Sequence, residues 1–408
     1  MSEVKKIPKL RFPQYGNPLT DVGFTDLGKI MIGLTHTPNY ITTGRPFLSS
    51  KNISQGFIDF ENIKYISEDE FQNLPKGAKP IKGDILFTRV GSNLGNPIVL
   101  DVNIEFGIFV SLGIFRVNKN ANNFYVKFWM DTNYFWRQLE QKVAGGAKNN
   151  LNTNWLKEFR LNLPSLAEQQ KIADFLTAVD KRVELLEKKK TLLETYKKGV
   201  MKKIFNQEIR FKDDSGKDFP DWEKKRLGEL SPKMKSGGTP KSTIKDHYDG
   251  DIPFLSIGDM TSQNKYLNWT SKTISKRGLE NSSSWVVPKN SIIYSMYASV
   301  GFVSINKIDL SISQAVMAIQ PIDEMNLEFL YYSLLNFQPK IKSLIETGTQ
   351  GNINGGIVKN IPIETPSLNE QIKISEFLSS LDTQIELLET QIDKSKTWKK
   401  GLLQKMFV

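Results

Sequence analysis

The chain has no cysteine among its 408 residues and only two histidines, His36 and His247. The absence of cysteine excludes disulfides, thiolate zinc sites and cysteine nucleophiles. It also fits a reducing compartment, so we expect a cytoplasmic protein. Two isolated histidines are too few for a catalytic triad or a zinc site, and the acidic surroundings of His247 are typical of a solvated loop.

Long apolar runs are also missing. A membrane-spanning helix needs roughly 18 consecutive apolar residues, and the first residues contain no apolar core of signal-peptide length. The most apolar stretch, residues 291–305, is interrupted by Ser, Tyr and Gly. It predicts a buried strand followed by a turn, and we expect no membrane association.

Several enzyme motifs are absent as well. The Gly-Lys pairs at residues 28–29 and 216–217 are not followed by Ser or Thr, so neither forms a phosphate-binding P-loop. There is no Pro-Pro pair, which excludes the Asn/Asp-Pro-Pro-Tyr/Phe element of amino-methyltransferases, and no Phe-x-Gly-x-Gly cofactor loop. Asp221, Glu223 and Lys225 have the letters of a metal-nuclease motif, but they are crowded together, and we interpret them as a surface linker.

The charge is moderately basic, with 55 Lys and Arg against 44 Asp and Glu and a formal net charge of +11. Such an excess is compatible with a polyanionic partner. It is equally compatible with a basic surface that binds no nucleic acid. Because the basic residues form no long tail, any polyanion must be bound by a folded surface.

The sequence contains an internal repeat. Residues 164–205 match residues 366–407 at a constant offset of 202 without a gap, and 20 of the 42 pairs are identical. The loop before each repeat, residues 146–152 and 348–354, follows the same offset, whereas the upstream parts match faintly with drifting offsets. A duplicated frame with diverged globular parts suits a protein that recognises two different targets in a fixed spatial relation. Simple duplication followed by drift is the alternative.

Each repeat begins as a helix. Ser165 with Glu168, and Ser367 with Glu370, have the spacing of a capping box. Apolar residues then recur at coiled-coil spacing, although Lys residues weaken the pattern toward the end of each helix. We expect these seam positions to pack the helices on each other and to contribute to partner docking: Ile172, Leu176, Val179, Val183 and Leu186 in the first copy, and Ile374, Leu378, Leu381, Ile385 and Leu388 in the second. The alternative is that each helix packs only on its own domain.

The repeat divides the chain into globular parts at residues 1–162 and 208–364, each followed by a helix, at residues 163–207 and 365–408. Both globular parts have an ordinary domain size. Their patterns predict a mixed α/β fold with irregular loops, in which the order of the sheet strands is not readable. We expect strands within residues 81–89, 107–117 and 291–297, and helices at residues 124–143 and 327–345.

Three loop classes in each globular part carry the side chains that DNA contact needs: Lys and Arg for phosphates, and amides, Arg or hydroxyls for base edges. One class lies before the long helix, one at residues 35–45 and 235–241, and one after the central strand. The candidate DNA-binding residues are Arg45, Arg89, Asn93, Lys148, Asn149, Asn150, Asn152, Lys235, Thr239, Lys241, Tyr297, Gln350, Asn352 and Asn354. Each of them has a structural alternative, such as a solvated turn.

The repeated helices carry a recognisable pattern: Pro-Ser-Leu-x-Glu-Gln, then Ile, Phe-Leu, Asp and Glu-Leu-Leu-Glu, ending on Lys-Lys-Gly and Phe. Present twice, this pattern resembles the specificity subunit of type I restriction–modification systems. Thr-Pro-Lys at residues 239–241 and Ile-Pro-Phe-Leu at residues 252–255 are similar to target-recognition domains of that family. The resemblance covers nearly the whole chain and is most specific in the helices.

The resemblance implies two α/β target-recognition domains joined by two long conserved helices that form an antiparallel coiled coil, with a pseudo-two-fold internal repeat. Each domain would read one half of a bipartite site in double-stranded DNA, and the helices would set the spacer. The chain itself would have no cofactor and no catalytic residue. It would recruit two methylation subunits and two restriction subunits, which would hold the S-adenosylmethionine, ATP and magnesium.

Two other functions stay open. A self-contained nuclease or methyltransferase with an unrecognised site would modify DNA without a partner. A structural coiled-coil adaptor would bind a protein partner but show no preference among DNA sequences. Neither the target bases nor the spacer length is readable from this sequence.

Overall fold

The structure is a computed structural model that describes residues 7–54, 56–91, 94–142, 150–346 and 352–408. The chain forms two compact units: unit 1 comprises Met1–Lys188 and Thr390–Val408, and unit 2 comprises Lys189–Glu389. Both divisions fall inside long helices, so each unit contains the first half of one helix and the last part of the other. The four segments predicted from the repeat divide the chain differently and stay a prediction.

Unit 1 is built mainly from short strands. They are β1 (Thr20–Gly23), β2 (Gly28–Ile32), β3 (Arg45–Leu48), β4 (Ile53–Ser54), β5 (Phe57–Ile58), β6 (Lys64–Ile66), β7 (Ile85–Thr88), β8 (Gly95–Val99), β9 (Gly107–Ile108), β10 (Leu112–Val117) and β11 (Arg160–Leu163). The helices are α1 (Glu68–Asn73), α2 (Asn123–Met130), α3 (Asn133–Lys142), α4 (Thr153–Leu156) and the long α5 (Leu166–Phe205), which continues into unit 2. Short 3-10 turns lie at Phe24–Leu27, Ser50–Asn52 and Lys76–Ala78.

Unit 2 repeats this plan. Its strands are β12 (Glu223–Arg226), β13 (Lys233–Ser236), β14 (Tyr248–Leu255), β15 (Tyr266–Leu267), β16 (Lys272–Ile274), β17 (Val286–Val287), β18 (Ile292–Ser295), β19 (Val303–Asn306), β20 (Leu310–Ile312), β21 (Val316–Gln320) and β22 (Pro362–Thr365). Its helices are α6 (Leu227–Leu230), α7 (Ile257–Gln263), α8 (Lys276–Glu280), α9 (Leu327–Glu346), α10 (Gly355–Lys359) and the long α11 (Leu368–Met406), which ends in unit 1. A 3-10 turn lies at Lys245–His247.

The strand order is the same in the two units. In unit 1 the sheets are β2-β10-β7-β8, β6-β3-β9 and β1-β11, with an additional two-stranded sheet β4-β5. In unit 2 the corresponding sheets are β13-β21-β18-β19-β15, β16-β14-β20-β17 and β12-β22. Compared with unit 1, the first of these sheets has the additional edge strand β15, and the second has the additional edge strand β17. Strands β3 and β9 run parallel, as do their counterparts β14 and β20. The internal repeat therefore extends through the globular parts, where the sequence match is faint.

The first turns of each long helix are buried in the core of their own unit. In unit 1, Leu176 lies in one apolar cluster with Trp129 and with Phe407 from the end of α11. In unit 2, Leu378 shares a cluster with Ile204 from the end of α5. Of the ten predicted seam positions, Leu186 and Ile385 are half-buried and the other eight are buried. Both sequence-based alternatives are therefore partly right, because each helix packs on its own domain and on the other helix.

Two Lys residues that interrupt the heptad pattern have partners in the structure. In unit 1, Lys399 of α11 pairs with Asp180 of α5 at 2.5 Å. In unit 2, Lys197 of α5 pairs with Asp382 of α11. The two ion pairs join the same positions of the repeat, since both residues of one pair are 202 positions from their counterparts in the other. In each unit they connect the first half of one helix to the last part of the other.

The capping-box prediction is wrong for the two glutamates. The Glu168 amide donates to the Ser165 hydroxyl at 3.4 Å, but the Glu168 carboxylate accepts from Arg11 instead of from the cap. Glu370 likewise accepts from Arg210, and the hydroxyl of its cap residue, Ser367, is buried without a hydrogen-bond partner in the described part of the chain. An arginine that is distant in sequence displaces the local cap because a charge-assisted, two-point hydrogen bond is stronger.

The neighbouring glutamine of each repeat joins the long helix to its own domain. In unit 1, Gln169 accepts from the Asn122 amide at 2.8 Å and donates to the Pro164 carbonyl at 2.9 Å. In unit 2, Gln371 accepts from the Asn326 amide at 2.8 Å and donates to the Pro366 carbonyl at 2.9 Å. Both side chains are about 1% exposed. The Glu-Gln pair of each repeat is therefore part of the internal structure.

The predicted helix at residues 124–143 is interrupted, whereas the one predicted at residues 327–345 is continuous as α9. The interruption lies at Thr132, whose hydroxyl donates to the Trp129 carbonyl at 2.6 Å. Thr and its neighbours Asp and Asn are weak helix formers, since their side chains bond to nearby backbone. Within the described residues, no helix is both long and apolar enough to cross a membrane.

Candidate nucleic-acid interface

Two of the three predicted loop classes bind one short segment in each unit, and the third binds one of those two loops. We name this short segment the junction segment, residues 108–111 in unit 1 and residues 312–315 in unit 2; it leads into β10 in unit 1 and into β21 in unit 2. Backbone hydrogen bonds tie the loops to the segment or to each other in both units. Loop residues so fixed can place side chains reproducibly against a ligand.

The loop after the first strand of each sheet is the first to reach the junction segment. In unit 1 the Leu34 amide donates to the Ile108 carbonyl at 2.8 Å, and in unit 2 the Gly237 amide donates to the Ser313 carbonyl at 3.2 Å. The approach is so close that a Cβ on Gly237 would lie 1.8 Å from the Ile312 carbonyl oxygen. Glycine is therefore required at that position of the Ser-Gly-Gly-Thr-Pro loop.

The loop after the central strand is held in the same way in both units. The amides of Arg89 and Met296, which follow β7 and β18, donate to the carbonyl of the last junction residue at 2.8 and 2.9 Å. The next residues, Val90 and Tyr297, donate to that same carbonyl at 3.4 and 3.3 Å. The two units thus share one backbone geometry at this point but present different side chains.

The loop before the long helix binds the end of the central strand. The Leu151 amide donates to the Arg89 carbonyl at 2.7 Å, and the Ile353 amide donates to the Met296 carbonyl at 3.1 Å. Both apolar residues are buried and stand 202 positions apart, in the repeated Asn-x-Asn sequence. Their burial fixes the flanking asparagines at the surface.

Those flanking asparagines are exposed, and two of them cap helices. The Oδ1 atom of Asn152 accepts from the Asn154 amide at 2.9 Å, and that of Asn354 accepts from the Ile357 amide at 3.0 Å. Asn150 forms an isolated bridge with Val90. The candidate residues Asn150, Asn152, Asn352 and Asn354 therefore stay accessible, while two of them also have a structural role.

Arg89 is the most unusual charge near the junction segment. It is 9% exposed, and its guanidinium donates to the Val110 carbonyl at 3.0 Å and to the Leu151 carbonyl at 3.4 Å. No carboxylate of the described residues forms an ion pair with it, and burial lowers the pKa of Arg89 from its ordinary value. A buried cation without a counter-ion is costly, and such groups cluster at functional sites.

The candidate residues of unit 2 lie on or beside the first loop. Lys235 is exposed in β13, with its ammonium 5.6 Å from the ring centre of Trp285. Thr239 and Lys241 are exposed on the loop itself, and Tyr297 is 41% exposed beside the junction segment. Together they supply cations for phosphates, and hydroxyl groups and an aromatic ring for bases.

Arg45 differs from the other candidates. It lies in β3, and two carboxylates bind its guanidinium: Glu68, and Glu105 at 2.6 Å. The hydrogen bond with Glu68 raises the pKa of Arg45. Its charge is therefore largely neutralised within the chain. The candidates Asn93, Lys148, Asn149 and Gln350 lie outside the described residues.

Sequence reasoning missed Gln314 of the junction segment, an exposed residue whose Oε1 accepts from the Thr239 hydroxyl at 2.7 Å. It follows a buried strand and carries no local motif, so only the fold shows its position. Sequence reasoning also missed Arg11 and Arg210. A signal for them exists, because Leu-Arg-Phe at residues 10–12 and Ile-Arg-Phe at residues 209–211 stand near the start of the two globular parts.

Comparison with known families identifies the repeated architecture. The sequence model of the type I restriction modification DNA specificity domain matches residues 35–195 and again residues 220–395. Each match spans most of one globular part and much of the long helix that follows it. The chain belongs to the type I restriction–modification DNA specificity family.

Two relatives resemble this specificity chain over most of their length. The MjaX specificity subunit of a type I restriction enzyme from Methanocaldococcus jannaschii is 29% identical over 382 residues, covering 89% of this chain and 87% of that protein. The HindI specificity subunit from Haemophilus influenzae is 26% identical over 434 residues, covering 83% of this chain and 93% of that protein. The resemblance therefore includes both copies of the repeat.

Solved structures share the fold at lower identity. The S subunit of a type I restriction–modification system from M. genitalium is 16% identical, has a TM-score of 0.59 and covers 99% of both chains. A chain from a structural study of complex assembly in a type I system is 19% identical, with a TM-score of 0.60 and coverage of 97% of this chain and 99% of that one. These likenesses show a mixed α/β fold with two repeated domains.

Asp221, Glu223 and Lys225 of this specificity chain, which have the residue types of a metal-nuclease motif, do not form a common site in the structure. Asp221 is fully exposed beside Arg210, with an Oδ1–Nη1 distance of 3.6 Å. Glu223 pairs with Lys225 at 2.7 Å on strand β12. Within the described ranges, no three histidine or carboxylate side chains meet as ligands for a metal ion. The three residues lie at the surface, as predicted, but Glu223 and Lys225 belong to strand β12 and not to a linker.

Proposed function

We propose that this type I specificity subunit reads a bipartite site in double-stranded DNA, one half with the junction segment of each unit. DNA recognition follows from its family, and the division of labour between the units is the proposal. One observation carries it: the two units hold the loop after the central strand and the loop before the long helix with the same backbone hydrogen bonds but present different side chains there. Different side chains on one frame allow two halves of different sequence to be read.

The differences fall where base contact would be made. Arg89 in unit 1 corresponds to Met296 in unit 2, because their amides and carbonyls bond to equivalent partners. By the same bonds Val90 corresponds to Tyr297, and these two side chains are 40% and 41% exposed. Arg89 and Met296 are buried, so the difference that a base edge would meet is that between Val90, which offers only an apolar surface, and Tyr297, which adds an aromatic ring and a hydroxyl. An asymmetric target is the expected consequence.

The long helices set the spacer between the halves in this proposal. The equivalent ion pairs Asp180–Lys399 and Lys197–Asp382 support an antiparallel pairing, because each joins an early residue of one helix to a late residue of the other. A charged pair inside an apolar seam fixes register. A helix of fixed length held in one register is a suitable ruler, since it rises about 1.5 Å per residue.

The repeated helices also provide two equivalent surfaces for partners. Large apolar side chains are exposed at the same repeat positions: Leu185 and Leu387 at 55% and 57%, and Tyr196 and Trp398 at 54% and 51%. Exposed apolar groups at duplicated positions support docking of two copies of one protein. In this proposal they bind two methylation subunits, and two restriction subunits complete the assembly.

The chemistry then resides in the partners. The methylation subunits would hold S-adenosylmethionine, and the restriction subunits would hold ATP and magnesium. The side chains of this chain position DNA by backbone contact and read bases, and none of them takes part in bond breaking. The rival proposal, a self-contained nuclease or methyltransferase, differs in one simple respect, because it needs no partner.

Exchange of residues 1–162 for the matching part of a relative tests the proposal. With the methylation subunit co-expressed, sequencing of methylated bases should show one half-site changed and the other half and the spacer unchanged. A change in both half-sites would contradict the proposal that each unit recognises one half-site independently. The purified chain alone, given S-adenosylmethionine or magnesium, should leave DNA unmodified; modification under those conditions would favour the rival.

A further inference from the structure

The side chain of Gln314 is the one amide that the junction segment of unit 2 presents at its surface. It is exposed, and the Thr239 hydroxyl donates to its Oε1 atom at 2.7 Å. Thr239 belongs to the first loop, the Ser-Gly-Gly-Thr-Pro turn. The amide therefore points in a fixed direction, unlike most exposed glutamines, which lose considerable side-chain freedom when they bind.

The backbone on both sides of Gln314 is equally fixed. The carbonyl of Ser313 accepts from the Gly237 amide at 3.2 Å, and the carbonyl of Ala315 accepts from the amides of Met296 and Tyr297 at 2.9 and 3.3 Å. Gln314 thus lies between two residues that anchor different loops. A side chain at such a position is preorganised, which is what selective recognition requires.

The corresponding residue of unit 1 is Val110. The correspondence follows from the next residue, because Ser111 accepts from Arg89 and Val90 as Ala315 accepts from Met296 and Tyr297. Valine offers no donor or acceptor and can contact only an apolar group such as the thymine methyl. The two units therefore differ at this position in what they can recognise.

We propose that Gln314 is a specificity-determining residue of unit 2 that reads an adenine in its half-site. The amide oxygen keeps a second lone pair beside the Thr239 bond, so it can accept from the adenine N6 amino group while Nε2 donates to N7. Thr239 is a positioning residue that acts through Gln314. The inference rests on the proposed function, since it requires that the junction segment faces DNA.

The test uses the full chain with its methylation subunit and measures methylated sites by sequencing. Gln314→Ala should lower the preference for adenine over other bases at one position of one half-site by about 5- to 150-fold. Gln314→Glu should do the same, because a carboxylate cannot donate to N7. Thr239→Val should give a smaller loss that Thr239→Ser restores. The matched control is Val110→Ala, which should leave this half-site unchanged.

The first half-site, read by unit 1, reports on folding and assembly in every variant. An unchanged motif in Gln314→Ala would overturn the proposal while leaving the proposed function intact. Loss of all methylation in both Gln314 variants would assign the residue to folding or assembly and would also overturn it. If the unaltered chain produced no bipartite motif, the proposed function would fail and this inference would fail with it.

Discussion

Arg11 forms a two-point ion pair with Glu168 at the start of the first long helix, with Nε–Oε1 and Nη2–Oε2 both at 2.7 Å. Unit 2 contains the same arrangement, in which Arg210 donates to Glu370 and Trp222 adds a hydrogen bond of 3.0 Å. The glutamates are 2% and 0% exposed. Each arginine thus joins the start of a globular part to the helix after it, which explains why both repeats contain the glutamate.

Replacement of Glu168 by Gln should destabilise unit 1. The guanidinium of Arg11 would stay in a largely buried place without its counter-ion, which should lower the free energy of unfolding by about 3 kcal/mol. Denaturant unfolding of the full chain measures the change. The control is Glu184→Gln on the same helix, whose side chain is 63% exposed and pairs with Lys181. That change should cost under about 1 kcal/mol, and equal losses in the two variants would contradict the structural role of Glu168.

If the repeated helices bind two methylation subunits, as we propose, Leu185→Glu should remove one of them and Leu387→Glu the other. Both side chains are more than half exposed, so a charge there disturbs docking without disturbing the core. Native mass spectrometry of the co-expressed complex should show one methylation subunit in each single variant and none in the double variant. Lys189→Glu and Gln391→Glu, exposed positions that correspond in the repeat, are the controls. A full complement of subunits in the double variant would disprove this docking surface.

Lys235→Gln and Lys241→Gln should weaken DNA binding without changing the motif. Both ammonium groups are exposed near the first loop, where they are placed for phosphate contact. Each change should reduce the slope of log affinity against log salt by about 1. Binding titrations at several salt concentrations, with the methylation subunit present, measure it. Lys224→Gln, on a strand of a separate sheet, should leave the slope unchanged; an equal effect there would point to bulk charge alone.

Lengthening both long helices should lengthen the unread spacer. Seven residues inserted after Leu186 and after Leu388 preserve the heptad and add about 10 Å of helix. Since DNA rises about 3.4 Å per base pair, the spacer should grow by up to about three base pairs while both half-sites stay the same. Sequencing of methylated sites gives the result directly. An unchanged spacer in an active complex would defeat the ruler proposal.

The sequence predicts the repeat, the long helices and the loops well, because each is encoded locally or by direct self-similarity. Heptad spacing alone places Leu176 and Leu378, and both are buried in the structure. The Asn-x-Asn loops are marked by the same 202-residue offset. The order of the strands was not readable, since pairing partners such as β7 and β10 depend on contacts distant in sequence.

Glu168, Glu370 and Gln314 show why the other features of the fold and of the candidate site could not be predicted from the sequence. A Ser-x-x-Glu pattern predicts a local cap, but Glu168 is bound by Arg11, 157 residues away. Gln314 contacts Thr239 across 75 residues, and nothing adjacent in the chain distinguishes it from any exposed glutamine. Long-range side-chain partners are set by the tertiary fold, so the candidate site could be located by loop composition but not resolved into residues.

In our proposal this specificity subunit reads two separate DNA sequences at a fixed distance. The most direct test is single-molecule sequencing of methylated bases in cells that carry this chain and its methylation subunit. We expect one asymmetric motif of two short, different half-sites separated by a spacer of constant length and variable sequence. A continuous motif, two half-sites at variable distance, or methylation without any motif would contradict the proposal.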